Sequence, residues 1–189
     1  MERRADVFFA VHLKGLLNKI LGVNVVDIIP ELPIRIGTIY PDIPINKSYK
    51  TDYAAFTDDN KVILVELKTD DGSTRDSQYR YYYKSIDVGF PKIMEGLLDI
   101  FESTDYKSKY LKLINALKNN GSIKEMDGQL VPTQEYSFYP SPIFLKPNKR
   151  PDDEGTVIEF SQIVDCFMNE KNEFTKRFVD SLSKWITPV

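Results

Sequence analysis

Residues able to act on a phosphate ester are concentrated in one stretch, 52–68. Asp52 opens an apolar segment running through Phe56. Asp58-Asp59-Asn60 supplies a polar turn, and a second apolar segment, Val62 to Val65, ends in Glu66-Leu67-Lys68. Two carboxylates and a lysine in one place are the smallest set that can hold a divalent cation, activate a water and neutralise charge on a phosphate. Side chains alternate along a strand, so Glu66 and Lys68 share a face and Leu67 takes the other. Asn60 tolerates the left-handed backbone that a three-residue turn requires. With that turn, residue 57 faces 61, 56 faces 62, 54 faces 64, and Asp52 faces Glu66, with β-carbons about 4.5–5.5 Å apart. Like charges so placed destabilise a sheet, and a cation between them removes the penalty. A two-residue turn would slip the register and send the acids to opposite faces. The plain alternative is a surface hairpin with solvated charges at its ends.

The elements around this hairpin follow from hydrophobic period and turn signals. The unbroken apolar run Val62–Val65 predicts a strand covered on both faces, where a terminal glutamate and lysine need partners. Phe9, Leu13, Leu16, Leu17 and Ile20 recur at helical spacing and predict a helix over 6–21, stopped by Gly22. The proline-containing stretch 23–49 reads as a loop with one strand near 34–40. Beyond the hairpin, Ser73 and Asp76 suggest a capping box starting a helix that runs to about 86. Helices are expected over 92–101 and 106–117, an aromatic strand over 134–145, a polar loop over 146–155, and helices over 161–168 and 172–185. The sum is one α/β domain spanning 1–189, with a central mixed sheet flanked by helices.

Composition narrows the classes. The chain has 189 residues, 42% of them hydrophobic, enough for one sizeable core. No apolar run approaches the length of a membrane helix, and the charged start does not fit a signal peptide. The single cysteine, Cys166, excludes an internal disulfide and a four-cysteine metal centre within one chain. The expected setting is the cytoplasm, without membrane association. A net charge of −3 counts against a non-specific nucleic-acid binder, but acidic metal ligands lower the formal charge and a bound cation restores it locally.

Two further features bear on the hairpin. Gln78 and Tyr82 lie four apart in Gln78-Tyr79-Arg80-Tyr81-Tyr82-Tyr83-Lys84 and so share a helix face, on a helix that starts soon after Lys68. Packing is the ordinary use of such tyrosines. His12, the only histidine, sits beside the apolar stripe of the first helix. It reads either as a boundary histidine or as a further metal ligand.

Together, Asp52, Glu66-Leu67-Lys68, the Gln78-x-x-x-Tyr82 segment and, more loosely, His12 resemble the PD-(D/E)XK nuclease superfamily, with its restriction-endonuclease-like fold. Within it the chain looks most like the RecB and lambda-exonuclease branch. The resemblance covers residues 5–85. Thr51 stands where a proline would precede the first acid. A literal Pro41-Asp42 lies upstream and makes Asp42 a rival to Asp52, although its proline-rich surroundings suit a loop. The resemblance implies a metal-dependent nuclease, acting on DNA in preference to RNA, with a homodimer or a larger complex as its expected assembly. Mg2+ or Mn2+ would be held by Asp52, Glu66, the Leu67 carbonyl and His12. Lys68, Gln78 and Tyr82 would complete the catalytic group, and Arg75, Arg80 and Lys84 would meet phosphates, with Tyr81 or Tyr83 stacking on bases. The alternative is a nuclease-like fold without catalysis, serving as a binding or scaffold module.

Overall fold

A computed structural model of the chain describes residues 2–43, 47–69 and 76–186, with side chains described for 8–43, 47–69 and 79–186. The first half runs α1 (Glu2–Leu21), β1 (Val25–Pro30), β2 (Pro33–Arg35), α2 (Ile36–Ile39), β3 (Ser48–Lys50), β4 (Tyr53–Thr57), β5 (Lys61–Leu67) and α3 (Asp76–Val88). The second half runs α4 (Phe90–Ser103), α5 (Lys107–Asn119), β6 (Ile123–Met126), β7 (Gln129–Pro132), β8 (Ser137–Phe138), β9 (Ile143–Lys146), β10 (Thr156–Glu159), α6 (Phe160–Phe167) and α7 (Glu173–Ile186).

The main sheet has the order β1-β4-β5-β9-β10, with β8 alongside the start of β5. The β1, β4 and β5 strands are antiparallel neighbours, while β5, β9 and β10 run parallel, so the sheet is mixed. Helix α3 follows β5 in the chain, which returns to the sheet in β8 and then β9, both parallel to β5. Two small antiparallel pairs, β2-β3 and β6-β7, stand apart from the main sheet.

Alternation along the strands builds two cores. Ala54, Phe56, Val62, Leu64 and Phe144 point to the face covered by α3, α4 and α5. Tyr53, Ala55, Ile63, Val65, Leu67, Ile143 and Leu145 point to the face covered by α1, α6 and α7. Strand β5, covered on both sides, carries the unbroken apolar run expected of such a strand.

The hairpin register matches the expectation: Tyr53 pairs with Val65, Ala54 with Leu64, Ala55 with Ile63 and Phe56 with Val62. Asn60 takes the left-handed backbone, at φ 60°, that the turn demands.

Three expectations need correction. The stretch 23–49 is not a loop with one strand. It holds edge strand β1, the β2-β3 pair and the short helix α2. The register shift between Val25 and Asp27 breaks the alternation of β1, which hid it. The segment 134–145 is not one strand but two short ones, β8 and β9, interrupted around Pro140-Ser141-Pro142, because proline cannot donate to a ladder. The β6-β7 hairpin and β10 were not expected. The hairpin turns at Asp127-Gly128, both at positive φ, but its strands are largely exposed and carry little apolar alternation. The capping box at Ser73 lies outside the described residues.

Candidate functional site

The end of β5 carries the densest chemistry. By alternation Glu66 points to the α3 face, and the register places it across from Asp52, the residue just before β4. Lys68 follows the strand, its backbone N–H donating to the Leu145 carbonyl on β9 at 2.8 Å. Its ammonium returns to Glu66 Oε1 at 2.7 Å, and both side chains are nearly enclosed, at 6% and 7% exposure. The second oxygen, Oε2, accepts from the Tyr82 hydroxyl. Asp52 Oδ2 accepts from the Leu67 backbone N–H at 2.7 Å, which fixes this carboxylate against the strand end. A glutamate buried this deeply is tolerable only because a cation and a hydroxyl both meet it.

Tyr82 is 1% exposed. Burial first, and then the adjacent Glu66 charge, hold its phenol well above the ordinary range, so it stays a neutral O–H donor. Its ring is flanked edge-on by Tyr49 of β3, whose hydroxyl lies 2.6 Å from the Ser85 hydroxyl on α3. Burial likewise pushes the Tyr49 phenol up.

A second carboxylate–lysine pair lies on the same face, and nothing in the sequence reading pointed to it. Lys146 ends β9 with no exposure and donates to Asp153 Oδ1 at 2.5 Å. The Tyr79 hydroxyl donates to the same oxygen at 2.8 Å, and the Arg150 backbone N–H donates to Oδ2 at 2.6 Å. Burial alone would raise the Asp153 carboxyl, but these three donors outweigh it and hold it below the usual carboxylate range. In the parallel register of β5 and β9, Lys146 is the position next to Lys68. Tyr79 and Tyr82, three apart on α3, thus each meet one carboxylate–lysine pair. The only sequence signal was a lysine closing the apolar run Ile143-Phe144-Leu145, assigned instead to the polar loop over 146–155.

The structure therefore brings together Asp52, Glu66, Leu67, Lys68 and Tyr82. It does not bring His12 to them. His12 lies in the opposite core, where Nδ1–H donates to the Phe8 carbonyl at 2.9 Å and Nε2 lies 3.1 Å from the Thr175 hydroxyl. Its ring is stacked on Phe178, with centroids 4.5 Å apart, and flanked by Phe167 and Phe174. The expectation of His12 as a metal ligand is corrected accordingly: the sheet separates it from Glu66, and both ring nitrogens have partners.

Asp42, the rival acid, is exposed in a turn. Thr51 is fully buried, and its N–H donates to the Leu32 carbonyl at 3.2 Å, a bond that a proline at this position could not make. Arg80 and Lys84 are exposed on α3, with Lys84 3.8 Å from Asp87. Tyr81 is stacked on Tyr49, with centroids 5.0 Å apart, which assigns it to packing rather than base stacking. Tyr83 is partly buried. The Gln78 side chain and all of Arg75 lie outside the described residues.

Among the described residues no three side chains from His, Cys, Asp and Glu gather closely enough to hold a metal ion. The donor set at the strand end is smaller: two carboxylates and the Leu67 carbonyl. Such an all-oxygen set suits a hard cation that keeps several waters, since magnesium takes one or two carboxylates in sites completed by substrate phosphate. No family model matches this chain, and neither does any curated protein or solved structure.

Proposed function

We propose that the protein is a Mg2+- or Mn2+-dependent nuclease of the PD-(D/E)XK type, with a restriction-endonuclease-like fold, hydrolysing phosphodiester bonds of nucleic acid and acting on DNA in preference to RNA. The observation that carries this reading is the cluster at the end of β5. Glu66 and Lys68 are in contact in a nearly closed environment, with Tyr82 on Glu66 and Asp52 on the Leu67 N–H.

Asp52, Glu66 and the Leu67 carbonyl would hold the cation, which when bound lowers the pKa of water and offsets charge on the phosphate. Lys68 places an ammonium where negative charge develops on the phosphoryl oxygens and orients the attacking water. Tyr82, kept protonated by its surroundings, donates to Glu66 and holds its carboxylate in place. Lys146, beside Lys68, is neutralised by Asp153, so this second pair adds no net charge next to the site. Arg80 and Lys84 extend the cationic surface along α3.

One observation favours a second reading, a binding or scaffold module without catalysis: both Glu66 oxygens already accept from groups within the chain. Titration with Mn2+ separates the two. The nuclease reading expects binding that Glu66→Ala abolishes, and cleavage that Asp52→Ala, Glu66→Ala or Lys68→Ala each lowers by about 10²-fold or more while far-ultraviolet circular dichroism stays unchanged. A protein that cuts neither DNA nor RNA with either metal, or whose Mn2+ binding survives Glu66→Ala, is not this enzyme.

A further inference from the structure

A groove on the α5 side of the molecule combines lysines with tyrosines. Helix α5 reads KSKYLKLINALKN, with Lys107, Lys109, Lys112 and Lys118 and no acid, in a chain whose acids outnumber its lysines and arginines 28 to 25. Two adjoining recesses run along it. One, about 340 Å³, lies between α5 and β1 and is lined by Lys50, Lys109 and Lys112 over an apolar floor that includes Ile29 and Leu113. The other, about 350 Å³, lies where α5 meets β3 and is lined by Lys47 and Tyr106. Tyr110 lines both and joins them.

The available charges are those of Lys109 and Lys112, since Lys50 is held by Glu31 and the second recess also carries an acid, Asp105. Of the acids lining the first recess, Asp27 accepts from Asn120 and Glu31 pairs with Lys50 at 2.7 Å. Among the described residues, Lys109 and Lys112 enter no ion pair. Tyr106 is 75% exposed, and among the described residues no other ring packs on it.

The strand that edges the groove, β3, also packs on the candidate site. Tyr49, between Ser48 and Lys50 on β3, lies against Tyr82, whose hydroxyl meets Glu66. Asp52 is two residues beyond Lys50, within about 7 Å along the chain.

We infer that this groove binds single-stranded nucleic acid, the lysines tracking phosphates and Tyr106 and Tyr110 offering faces on which bases stack. Lysines interleaved with the exposed Tyr106 and the half-buried Tyr110 supply the two parts a strand-binding groove requires, whereas an acidic peptide would use the lysines and leave the tyrosines idle. The inference rests on the nuclease reading only in linking the groove to a cutting site. The binding is tested without cleavage.

The probe is a fluorescein-labelled oligothymidylate of twenty nucleotides, followed by anisotropy with calcium in place of magnesium. Lys109→Glu/Lys112→Glu is expected to weaken binding on the order of 10–100-fold and to reduce the slope of log affinity against log salt by about 1.4, two phosphate contacts at about 0.7 each. Tyr106→Ala is expected to weaken it about 5- to 100-fold with the salt slope unchanged, the signature of a lost stack rather than a lost charge. Both changes are on exposed positions, and thermal unfolding together with Mn2+-supported hydrolysis of bis(p-nitrophenyl) phosphate checks that the fold and the strand-end chemistry persist.

Binding by the lysine variant within twofold of wild type overturns the groove, as does a wild type that does not bind the oligonucleotide. Poly-glutamate bound as tightly, with the same lysine dependence, assigns the groove to an acidic peptide and overturns the nucleic-acid occupant. A duplex that competes as well as the single strand overturns the single-strand preference. If binding depends on the lysines and on Tyr106 but no substrate is cut, the groove stands and the nuclease reading falls. If cleavage proceeds and the groove variants bind normally, the reverse holds.

Discussion

At the scale of single residues, burial and partnering decide what each ionisable group can do. Glu66 is enclosed with two donors, and Lys68 is enclosed with the carboxylate it serves. Removing either partner would leave the other as an uncompensated buried charge, so the pair has to be read as a unit. Asp153 gives the clearest pH signature. Its folded-state carboxyl lies below the ordinary range despite burial, because the Arg150 N–H, Lys146 and Tyr79 favour the ionised form. A depressed folded-state pKa contributes stability that is fully present above the unfolded value of about 3.9 and is lost as pH falls through the lower folded value. Urea midpoints measured from pH 6 down to pH 2 are therefore expected to fall below about pH 4, and Asp153→Asn is expected to flatten that acid limb while lowering stability near neutrality. An acid limb identical in wild type and variant would show that Asp153 is not the group responsible.

At the scale of elements, α3 is the part that ties the two carboxylate–lysine pairs together. Tyr79 and Tyr82, three apart, reach Asp153 and Glu66 from one helix face, so a shift of α3 along its axis would disturb both pairs at once. Helix α4 shows how closely such elements approach. A β-carbon built at Gly96 would lie 2.0 Å from Thr38 Oγ1 and 3.0 Å from Thr38 Cβ on α2. Alanine at a helix interior is worth about 1 kcal/mol over glycine. The clash here outweighs it, and Gly96→Ala is expected to destabilise by about 1–3 kcal/mol. Adding Thr38→Ala should recover most of the loss in a double-mutant cycle read by denaturant unfolding, because the two positions touch. A Gly96→Ala protein more stable than wild type would mean that α2 simply moves aside.

At the scale of the whole molecule, the mixed sheet is a partition. Its α3 face carries the buried charges, and its α1 face carries an aromatic cluster in which Phe178 and the His12 ring stack. His12→Ala is expected to lower stability by about 2–4 kcal/mol, as a large-to-small change in a packed core does, and to leave Mn2+ affinity unchanged within a factor of two. A drop in metal affinity comparable to that of Glu66→Ala, found by calorimetry, would return His12 to the metal site.

How much was legible in the chain follows from which interactions are local. The Asp52–Lys68 hairpin, its three-residue turn, its register and the shared face of Glu66 and Lys68 could be read directly, because strand alternation and turn chemistry act between near neighbours in sequence. The main helices were legible for the same reason. Edge strand β1 escaped because a register shift breaks its period, and β6-β7 because exposed strands carry little apolar signal. The location of His12, the closing of Tyr82 onto Glu66, and the pairing of Lys146 with Asp153 beside Lys68 were decided only by tertiary structure. Each depends on which face of a sheet a side chain meets after a chain crossing, and no local spacing encodes that. In the sequence Lys146 was one more lysine before a polar loop. The parallel pairing of β9 with β5 made it the buried neighbour of the lysine on which the proposed chemistry turns.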